Sequence, residues 1–333
     1  IAANRDWRRL RHAPRKKSSS SKPKLAANRT LKLIAPEVFS LATPEYRDAV
    51  MSFLRRLQSH IKSGKRVSIN FNQTRLLVPC GTLLFIAVLS CLLTRYPGRV
   101  TSNYPTDPVV EQLFQHVGVL SLLGNTSRVE ITADNVRYWY FLQGTTTDTS
   151  PLKALFEIYS AGEIKEKIRE GLYEGLSEAI TNSIQHAYVD GGRSPGEENG
   201  KRWWMFSQQK DGKLSVVVCD LGIGIPTSLR QKFGDHLKYF TSRKRRRDTN
   251  LIEVAVQSTR SRTRLPHRGK GLPDMFEFVK SSGIGGFLIY SLYGAFAYNA
   301  ENAHETGRDF HTDIPGTLIQ WTVPLNLVTS DSK

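Results

Sequence analysis

Three polar residues fall four positions apart in the segment SEAITNSIQHAY: Glu178, Asn182 and His186. Residues at i, i+4 and i+8 of an α-helix share one face, so a helix here would align a carboxylate, a carboxamide and an imidazole. We expect Asn182 to bind Mg²⁺ and Glu178 to act as a general base, with His186 reaching a phosphate or supporting the next loop. The alternative interpretation is a solvated polar face beside an apolar stripe.

A glycine-rich turn follows an apolar run in the segment VVVCDLGIGIP. Asp220 stands at the end of the run, and a carboxylate there can accept a hydrogen bond from an exocyclic amine such as that of adenine. Gly222 and Gly224 allow the backbone to turn sharply and to approach a ligand. The segment is therefore a candidate nucleotide-binding turn, although the same pattern also occurs where a strand simply ends.

A second glycine cluster, RGKGL, is predicted to open a helix. Gly269 and Gly271 would leave backbone N–H groups free to bind phosphate, and Arg268 and Lys270 add positive charge. Leu272 completes this candidate segment. The chain contains no GxxxxGK[ST] sequence, so a Walker-type phosphate loop is excluded.

A long helix beginning at Ala161 is predicted to carry the polar face, because apolar residues recur beside it with helical spacing. Strands are predicted at 203–208 and 214–220, with Asp211-Gly212 as the hairpin turn between them. Residues 286–301 are predicted to form another hairpin, and GTLIQWTVPL the last strand. The apolar stripe of the helix consists of Ile164, Ile168, Leu172, Leu176, Ile180 and Ile184.

The upstream third of the chain alternates predicted helices and strands, which indicates a small α/β domain. Its first helix has Thr43 as N-cap and ends at Gly64. Strands are predicted at 67–71 and 99–103, and further helices over roughly 81–95 and 107–119. Another strand is predicted at 129–143, after this domain.

The run from Leu76 to Leu93 contains no charge and is long enough to raise the question of a membrane span. Pro79 and Gly81 lie near its start, and an alternating strand pattern precedes it. A buried strand–turn–helix is therefore the preferred interpretation. No membrane insertion is expected, and residues 1–30 contain no apolar segment typical of a signal peptide.

The 333 residues carry a net charge of +17, and this charge is concentrated in two blocks. Residues 1–32 hold eleven lysines and arginines against Asp6, and residues 224–272 hold thirteen against three acids, a net of +10 in each block. Such blocks suggest an anionic partner, such as nucleic acid, an acidic protein surface or phosphates. Residues 1–36 are expected to be a disordered tail. Three scattered cysteines indicate a reducing, cytoplasmic setting rather than disulfides or a zinc site.

In order and spacing, these segments resemble the GHKL (Bergerat-fold) ATPase superfamily over roughly residues 150–325. Glu178 and Asn182 match its asparagine box, Asp220 to Gly224 its first glycine box, Gly269 to Leu272 its second, and Gly316-Thr317 its terminal Gly-Thr. The resemblance implies an α/β sandwich, a mixed sheet covered by helices on one face. It also implies ATP bound through Asp220, Mg²⁺ on Asn182, Glu178 as base and a lid between the glycine boxes.

Within the superfamily, the segment EAITNSIQHAY is most similar to the anti-sigma-factor serine kinases. No histidine stands in a recognisable upstream dimerisation helix, so autophosphorylation on histidine is not expected. The lid, about 225–268, is longer and more basic than those small kinases require. Its cations would hold the γ-phosphate or face a polyanion.

Residues 37–126 are similar to STAS domains, the fold of the anti-anti-sigma factors. In place of their phosphoacceptor turn this chain has Val78-Pro79-Cys80-Gly81, with Thr82 as the only nearby hydroxyl, which makes phosphorylation there doubtful. A generic α/β interaction domain is the alternative. Either would bind a protein partner, and the sequence also allows a homodimer.

The expected protein is a two-domain α/β switch: a tail at 1–36, a STAS-like domain at 37–126 and a GHKL domain at 127–333. ATP and Mg²⁺ are the expected cofactors, used for hydrolysis or for phosphoryl transfer to a protein serine. Nucleotide would order the lid and change what the basic surfaces contact. Two alternatives remain open: a nucleic-acid-associated ATPase clamp, and a binding module without turnover.

Overall fold

The computed structural model describes residues 30–158, 166–188, 200–233, 247–257 and 271–325, which form a mixed α/β protein. The chain divides into two compact units, one ending at Phe141 and the other beginning at Leu142. The expected boundary was between residues 126 and 127. The first unit extends further because side chains of the helix Pro108–His116 bind the backbone that follows it. Gln115 Oε1 accepts from the N–H groups of Arg128 and Val129 at 2.9 and 3.1 Å.

The first unit contains a three-stranded parallel sheet in the order β1-β3-β5 and a parallel pair, β2-β4. Helices connect its parallel strands, as parallel pairing requires. The elements, in chain order, are β1 (Leu31–Ile34), β2 (Val38–Phe39), α1 (Pro44–Lys62), β3 (Val67–Asn70), β4 (Leu76–Leu77), α2 (Pro79–Arg95), β5 (Val100–Ser102), α3 (Pro108–His116), α4 (Val119–Leu122) and α5 (Asp134–Arg137).

The expectation of a disordered tail over 1–36 is wrong for Leu31–Ile34, because this segment pairs with β3 and buries Leu33. Residues 1–29 lie outside the described residues. The strand predicted over 129–143 is also wrong in part: α5 interrupts it, and the strand β6 spans only Trp139–Gly144. A side-chain contact rather than the local strand pattern determines the conformation here. Gln112 Oε1 of α3 accepts a hydrogen bond from the N–H of Ala133, directly before α5.

Local signals account for the helices of the first unit. The Thr43 side chain accepts the N–H of Tyr46 at the start of α1, and Gly64 follows its end with φ +81°. In α2 every residue from Pro79 to Leu92 is buried, so most of the uncharged run is a buried helix that follows β4. The turn predicted at Pro79 to Gly81 is wrong, because these residues already form the first turn of the helix, where proline is favourable. Five packed aromatic rings form the centre of the core, namely Phe39, Phe53, Phe71, Phe85 and Phe114.

Among the described residues, no helix is both long enough and apolar enough to cross a bilayer.

The second unit is built on a five-stranded sheet in the order β6-β7-β8-β10-β9. The pairings β7–β8, β8–β10 and β10–β9 are antiparallel. Its further elements are α6 (Ser150–Ile158), α7 (Glu166–Gln185), β7 (Trp203–Lys210), β8 (Lys213–Asp220), α8 (Ile225–Phe233), α9 (Asp248–Gln257), α10 (Gly271–Ser282), β9 (Gly286–Asn299) and β10 (His304–Pro324).

The turn between β7 and β8 has the predicted chemistry. Asp211 and Gly212 both have positive φ, 51° and 67°, as a two-residue type I′ turn requires. The predicted hairpin over 286–301 is wrong, because β9 runs through it as one strand. Gly294 serves packing rather than a turn: a Cβ there would lie 2.6 Å from the backbone nitrogen of Thr249 in α9.

Helix α7 packs its apolar stripe against the sheet and against α10. Four residues of the predicted stripe are buried, namely Ile168, Leu172, Leu176 and Ile180. Ile184 is half-buried, and Ile164 lies outside the described residues. A Cβ on Gly175 would be 3.4 Å from the Trp321 ring and 3.6 Å from Met275, so the helix backbone lies directly against both neighbours. This packing positions the polar residues of α7 near the ends of the strands.

Candidate functional site

A row of polar residues crosses three neighbouring strands at one end of the second sheet. Asp220 is the last residue of β8; it pairs with Thr317 in β10, which pairs with Ser291 in β9. Directly paired residues share one face of a sheet. The hydroxyls of Ser291 and Thr317 lie 3.0 Å apart, and the Ser291 hydroxyl accepts the N–H of Ile225 at the start of α8. Asp220 ends its strand, whereas Thr317 and Ser291 lie within β10 and β9, and the row joins these strands to the start of α8.

The Asp220 carboxylate is the central group of this row. One of its oxygens accepts the N–H of Gly222 at 2.8 Å, and further hydrogen bonds come from the Thr317 backbone and from the Ser183 hydroxyl, whose proton is shared with the Ala179 carbonyl at 2.9 Å. Burial raises the pKa of Asp220 to about 7, although these three hydrogen bonds act in the opposite direction. A carboxyl whose pKa is raised by burial, and which already accepts hydrogen bonds, suits a ligand that donates a further hydrogen bond.

The turn after Asp220 fits only glycine at two positions. A Cβ on Gly222 would lie 2.2 Å from the carbonyl oxygen of Ala187, and Gly224 has φ +79° with Ser291 and Leu292 beside it. The N–H of Ile223 donates to the same Ala187 oxygen at 2.8 Å. The turn thus lies directly against the chain that leaves α7.

Tyr188 also stabilises the contact between the glycine turn and the chain that leaves α7. Its hydroxyl donates to the carbonyl of Arg202 at 2.7 Å and accepts the N–H of Leu221 at 3.1 Å. Sequence reasoning missed Tyr188, Ser183 and Ser291. The available signal for Ser183 was its position beside Asn182, but the parts played by Tyr188 and Ser291 depend on contacts between distant segments.

The residues of the predicted helical face have different environments. Glu178 is exposed, Asn182 is half-buried, and His186 is exposed one residue beyond the end of α7. The N–H groups of His186 and Ala187 still donate to the Asn182 carbonyl, at 2.9 and 3.1 Å, so the last turn continues the helical pattern. Asn182 and Asp220 are linked indirectly through Ser183, which follows Asn182 and reaches the Asp220 carboxylate.

The second glycine cluster is described only from Gly271, where α10 begins, and Leu272 there is half-buried. Arg268, Gly269 and Lys270 lie outside the described residues. The same holds for the predicted lid except α8 and α9. Those two helices are joined by an ion pair between Arg230 and Asp248 at 2.6 Å, and Asp248 also accepts the N–H of Tyr293.

A groove of about 270 Å³ lies between α7 and α10. Gly171 allows this close approach, because a Cβ there would lie 2.2 Å from the Phe278 ring. Glu178 lines the groove, so the candidate base is at the edge of an open space. The other lining residues are Tyr173, Glu174, Gly175, Ser177, Asp274 and Met275.

The segment Val78 to Gly81 of the first unit and the adjacent Thr82 present no exposed hydroxyl. Thr82 is fully buried, and its hydroxyl finds no partner among the described residues. Burial raises the pKa of the neighbouring Cys80 thiol to about 12, so the thiolate is strongly disfavoured. A Cβ on Gly81 would lie 2.5 Å from the backbone of Phe39. The turn is a packing element in this conformation.

Within the described ranges, no three His, Cys, Asp or Glu residues are grouped so that they could hold a metal ion. Neither a scan against protein-family models nor a search of curated proteins finds a match to this chain.

Proposed function

We propose that this chain is an ATP-binding regulatory protein of the GHKL type, which hydrolyses ATP or transfers its γ-phosphoryl group to a protein serine. The observation that carries the proposal is the Asp220 carboxyl, buried at a strand end, with its pKa raised to about 7. Burying a carboxyl is unfavourable unless it is hydrogen-bonded. A nucleobase amine would add a donor to the three that the chain already provides.

Other residues of the row would shape this nucleotide site. The Thr317 backbone and the Ser183 side chain both approach the Asp220 carboxylate, and the Thr317 hydroxyl lies 3.0 Å from that of Ser291. Gly222 and Gly224 allow the turn to pack closely, because the space that a Cβ would take is filled by Ala187 at Gly222 and by Ser291 and Leu292 at Gly224. Its attachment to Ala187 holds the turn beside the end of α7, where Asn182 lies.

The residues present fit a magnesium ion that is held mainly by nucleotide. Mg²⁺ prefers octahedral oxygen ligands and usually keeps several waters and substrate phosphates among them. A single carbonyl oxygen from half-buried Asn182 is therefore a suitable protein ligand, and no cage of carboxylates is needed. The ion would neutralise charge on the phosphates. Glu178, exposed one turn earlier on α7, would accept the proton of the attacking hydroxyl or water.

For the first unit, we propose a partner-binding role of the STAS type without phosphorylation at its turn. The buried Thr82 hydroxyl supports the second part, because a kinase could reach it only if α2 moved out of the core. Regulation would then follow from nucleotide at the second unit rather than from modification of the first.

Titration calorimetry with Mg·ATP tests the nucleotide site. The Asn182→Ala variant should show no measurable binding, whereas Asn302→Ala, which removes an exposed carboxamide from the β9–β10 turn, should bind as the unaltered chain does. Undiminished binding by Asn182→Ala would reject the proposal.

A second variant distinguishes an enzyme from a binding module. Glu178→Gln keeps the size of the side chain but removes the base, so it should bind Mg·ATP normally and lose at least a hundredfold in ADP formation. If ADP formation is absent in the unaltered chain as well, the non-catalytic alternative is correct.

A further inference from the structure

The groove between α7 and α10 is acidic throughout its described lining. Among the described residues, its titratable side chains apart from Tyr173 are Glu174, Glu178 and Asp274, and none of the lining residues is a lysine, arginine or histidine. All three carboxylates are exposed. Like charges gathered in a concave surface focus their field on a cation that enters it.

The groove also has apolar surface suited to long basic side chains. Tyr173 and Phe278 line it together with Met275. Lysine and arginine can lay their aliphatic stems along such surface while their charged ends reach carboxylates, and aromatic faces attract the cations directly. The lining therefore matches a cationic peptide better than an anionic or wholly apolar ligand.

The position of Glu178 relates this groove to the proposed chemistry. Glu174 and Glu178 are one turn apart on α7, and Asp274 faces them from α10. A segment held by Glu174 and Asp274 would therefore place its neighbouring side chains beside the proposed base. A hydroxyl in that segment would be positioned to lose its proton.

The chain itself contains a segment with these properties. Residues 1–29 include ten lysines and arginines against a single aspartate, and the sequence RKKSSSSKPK places Ser18 to Ser21 between basic residues. The charge of this segment is opposite to that of the groove.

We propose that the groove binds the basic segment Arg15–Lys24 and that Ser18 to Ser21 include the phosphoryl acceptor of this protein. The inference rests on the proposed function and gives it a substrate: a serine flanked by lysines. Glu174 and Asp274 bind the flanking cations and are positioning residues. The seryl oxygen attacks the γ-phosphorus of ATP, the bond from that phosphorus to the β,γ-bridging oxygen breaks, and ADP leaves. The hydroxyl proton passes to Glu178.

The carboxylates of the groove also favour release of the phosphorylated segment. A phosphoserine carries nearly two negative charges at neutral pH. It is repelled by the three carboxylates of the groove, so modification weakens binding of the segment.

Transfer is measured with the full-length chain, Mg²⁺ and γ-labelled ATP, followed by mass spectrometry. We expect label on Ser18 to Ser21. The double variant Glu174→Gln, Asp274→Asn should lower transfer at least tenfold, while ATP binding stays unchanged in calorimetry. Glu170→Gln and Glu277→Gln, which alter exposed carboxylates of the same helices outside the groove, should leave transfer unchanged.

Reversing the charges on both partners tests whether the basic segment pairs with the carboxylates of the groove. Lys16→Glu with Lys17→Glu should abolish transfer, and adding Glu174→Lys with Asp274→Lys should restore it. Carbodiimide cross-linking needs no nucleotide and should join Lys16, Lys17 or Lys22 to Glu174 or Asp274, but not to Glu170 or Glu277.

These experiments distinguish a failure of the inference about the basic segment from a failure of the proposed function. ATP that is bound and hydrolysed without label on Ser18 to Ser21 overturns the inference and leaves the proposed function standing. Absence of ATP binding rejects the proposed function, and absent cross-links then reject docking as well. Cross-links that nucleic acid abolishes, with no labelled serine, would assign the segment to nucleic acid and overturn the inference.

Discussion

Two segments of this chain pass from a strand into a helix with a closely packed glycine soon after the strand, and they differ in the group at the end of the strand. In the first unit, Leu77 ends β4, and Pro79 to Gly81 form the apolar, buried first turn of α2. In the second unit, Asp220 ends β8, and its carboxylate meets the backbone of the following turn. Only the second has the polar groups that a ligand needs.

The comparison shows that glycine in such a turn does not by itself indicate a site. Gly81 is required because its backbone lies against Phe39, and Gly222 because its backbone lies against Ala187. The close contact is similar in both turns. The difference arises from neighbours: Cys80 and Thr82 are enclosed by apolar side chains, whereas Asp220 receives three hydrogen bonds. Four measurements test this contrast.

The largest expected effect comes from ionisation of Asp220. Its pKa rises from 3.8 to about 7 in the folded protein, so the folded state holds the proton more tightly than the unfolded state. The resulting stabilisation is complete below pH 3.8 and is lost as pH rises through 7. The difference between these two pKa values corresponds to roughly 4 kcal/mol of unfolding free energy, lost by about pH 8.

Urea unfolding followed by tryptophan fluorescence measures this loss, because Trp203, Trp204 and Trp321 lie in the second sheet. Asp220→Asn cannot ionise and should remove most of the pH dependence. Asp211→Asn, at the other end of β8, should retain it. Identical pH profiles for the unaltered chain and Asp220→Asn would show that Asp220 ionises normally.

Crowding at the apolar turn should have the next largest effect. Gly81→Ala places a methyl group 2.5 Å from the Phe39 backbone and should cost about 3 kcal/mol. Gly64→Ala has open space but a φ of +81°, so it should cost about 1 kcal/mol.

Hydrogen exchange of the α2 amides, read by mass spectrometry, reports this loss of stability. If the α2 amides are equally protected in Gly81→Ala and Gly64→Ala, the backbone around Gly81 can move to accommodate a methyl group. That result would contradict the close packing of Gly81 against Phe39.

Loss of the Tyr188 hydroxyl should have a smaller effect on the polar turn. Tyr188→Phe leaves the buried N–H of Leu221 and the Arg202 carbonyl without this partner and should cost about 2 kcal/mol. Tyr293→Phe, at an exposed tyrosine of β9, should cost almost nothing. Thermal unfolding of both variants measures the difference, and equal melting temperatures would mean that Tyr188 does not hold the turn.

The smallest effect is expected at Thr82. Its buried hydroxyl finds no partner among the described residues, so Thr82→Val should change the unfolding free energy by less than about 1 kcal/mol, with stabilisation as the expected sign. The matched change Thr74→Val removes a 2.8 Å hydrogen bond to the Pro36 carbonyl and should cost about 1.5 kcal/mol. A larger loss at Thr82 than at Thr74, or phosphate found on Thr82, would contradict the apolar character of this turn.

Local signals predicted much of the fold. The Thr43 cap, the Asp211-Gly212 turn and the apolar stripe of α7 each depend on residues close together in sequence, and each is confirmed. The errors occurred where distant segments decided the outcome. Leu31–Ile34 became a strand because β3 pairs with it, and β9 continues through Gly294 because α9 needs the space.

The candidate site likewise combines features that are local in sequence with features that depend on distant segments. The sequence by itself determined which chemical groups are available and their local spacing: Glu178 one turn before Asn182, and Asp220 two residues before Gly222. Only the tertiary structure decided that Asp220 is buried beside Thr317 and Ser183, and that Asp274 faces Glu174 across a groove. The physical reason is that strand register and helix packing join residues far apart in the chain, and burial then sets their ionisation.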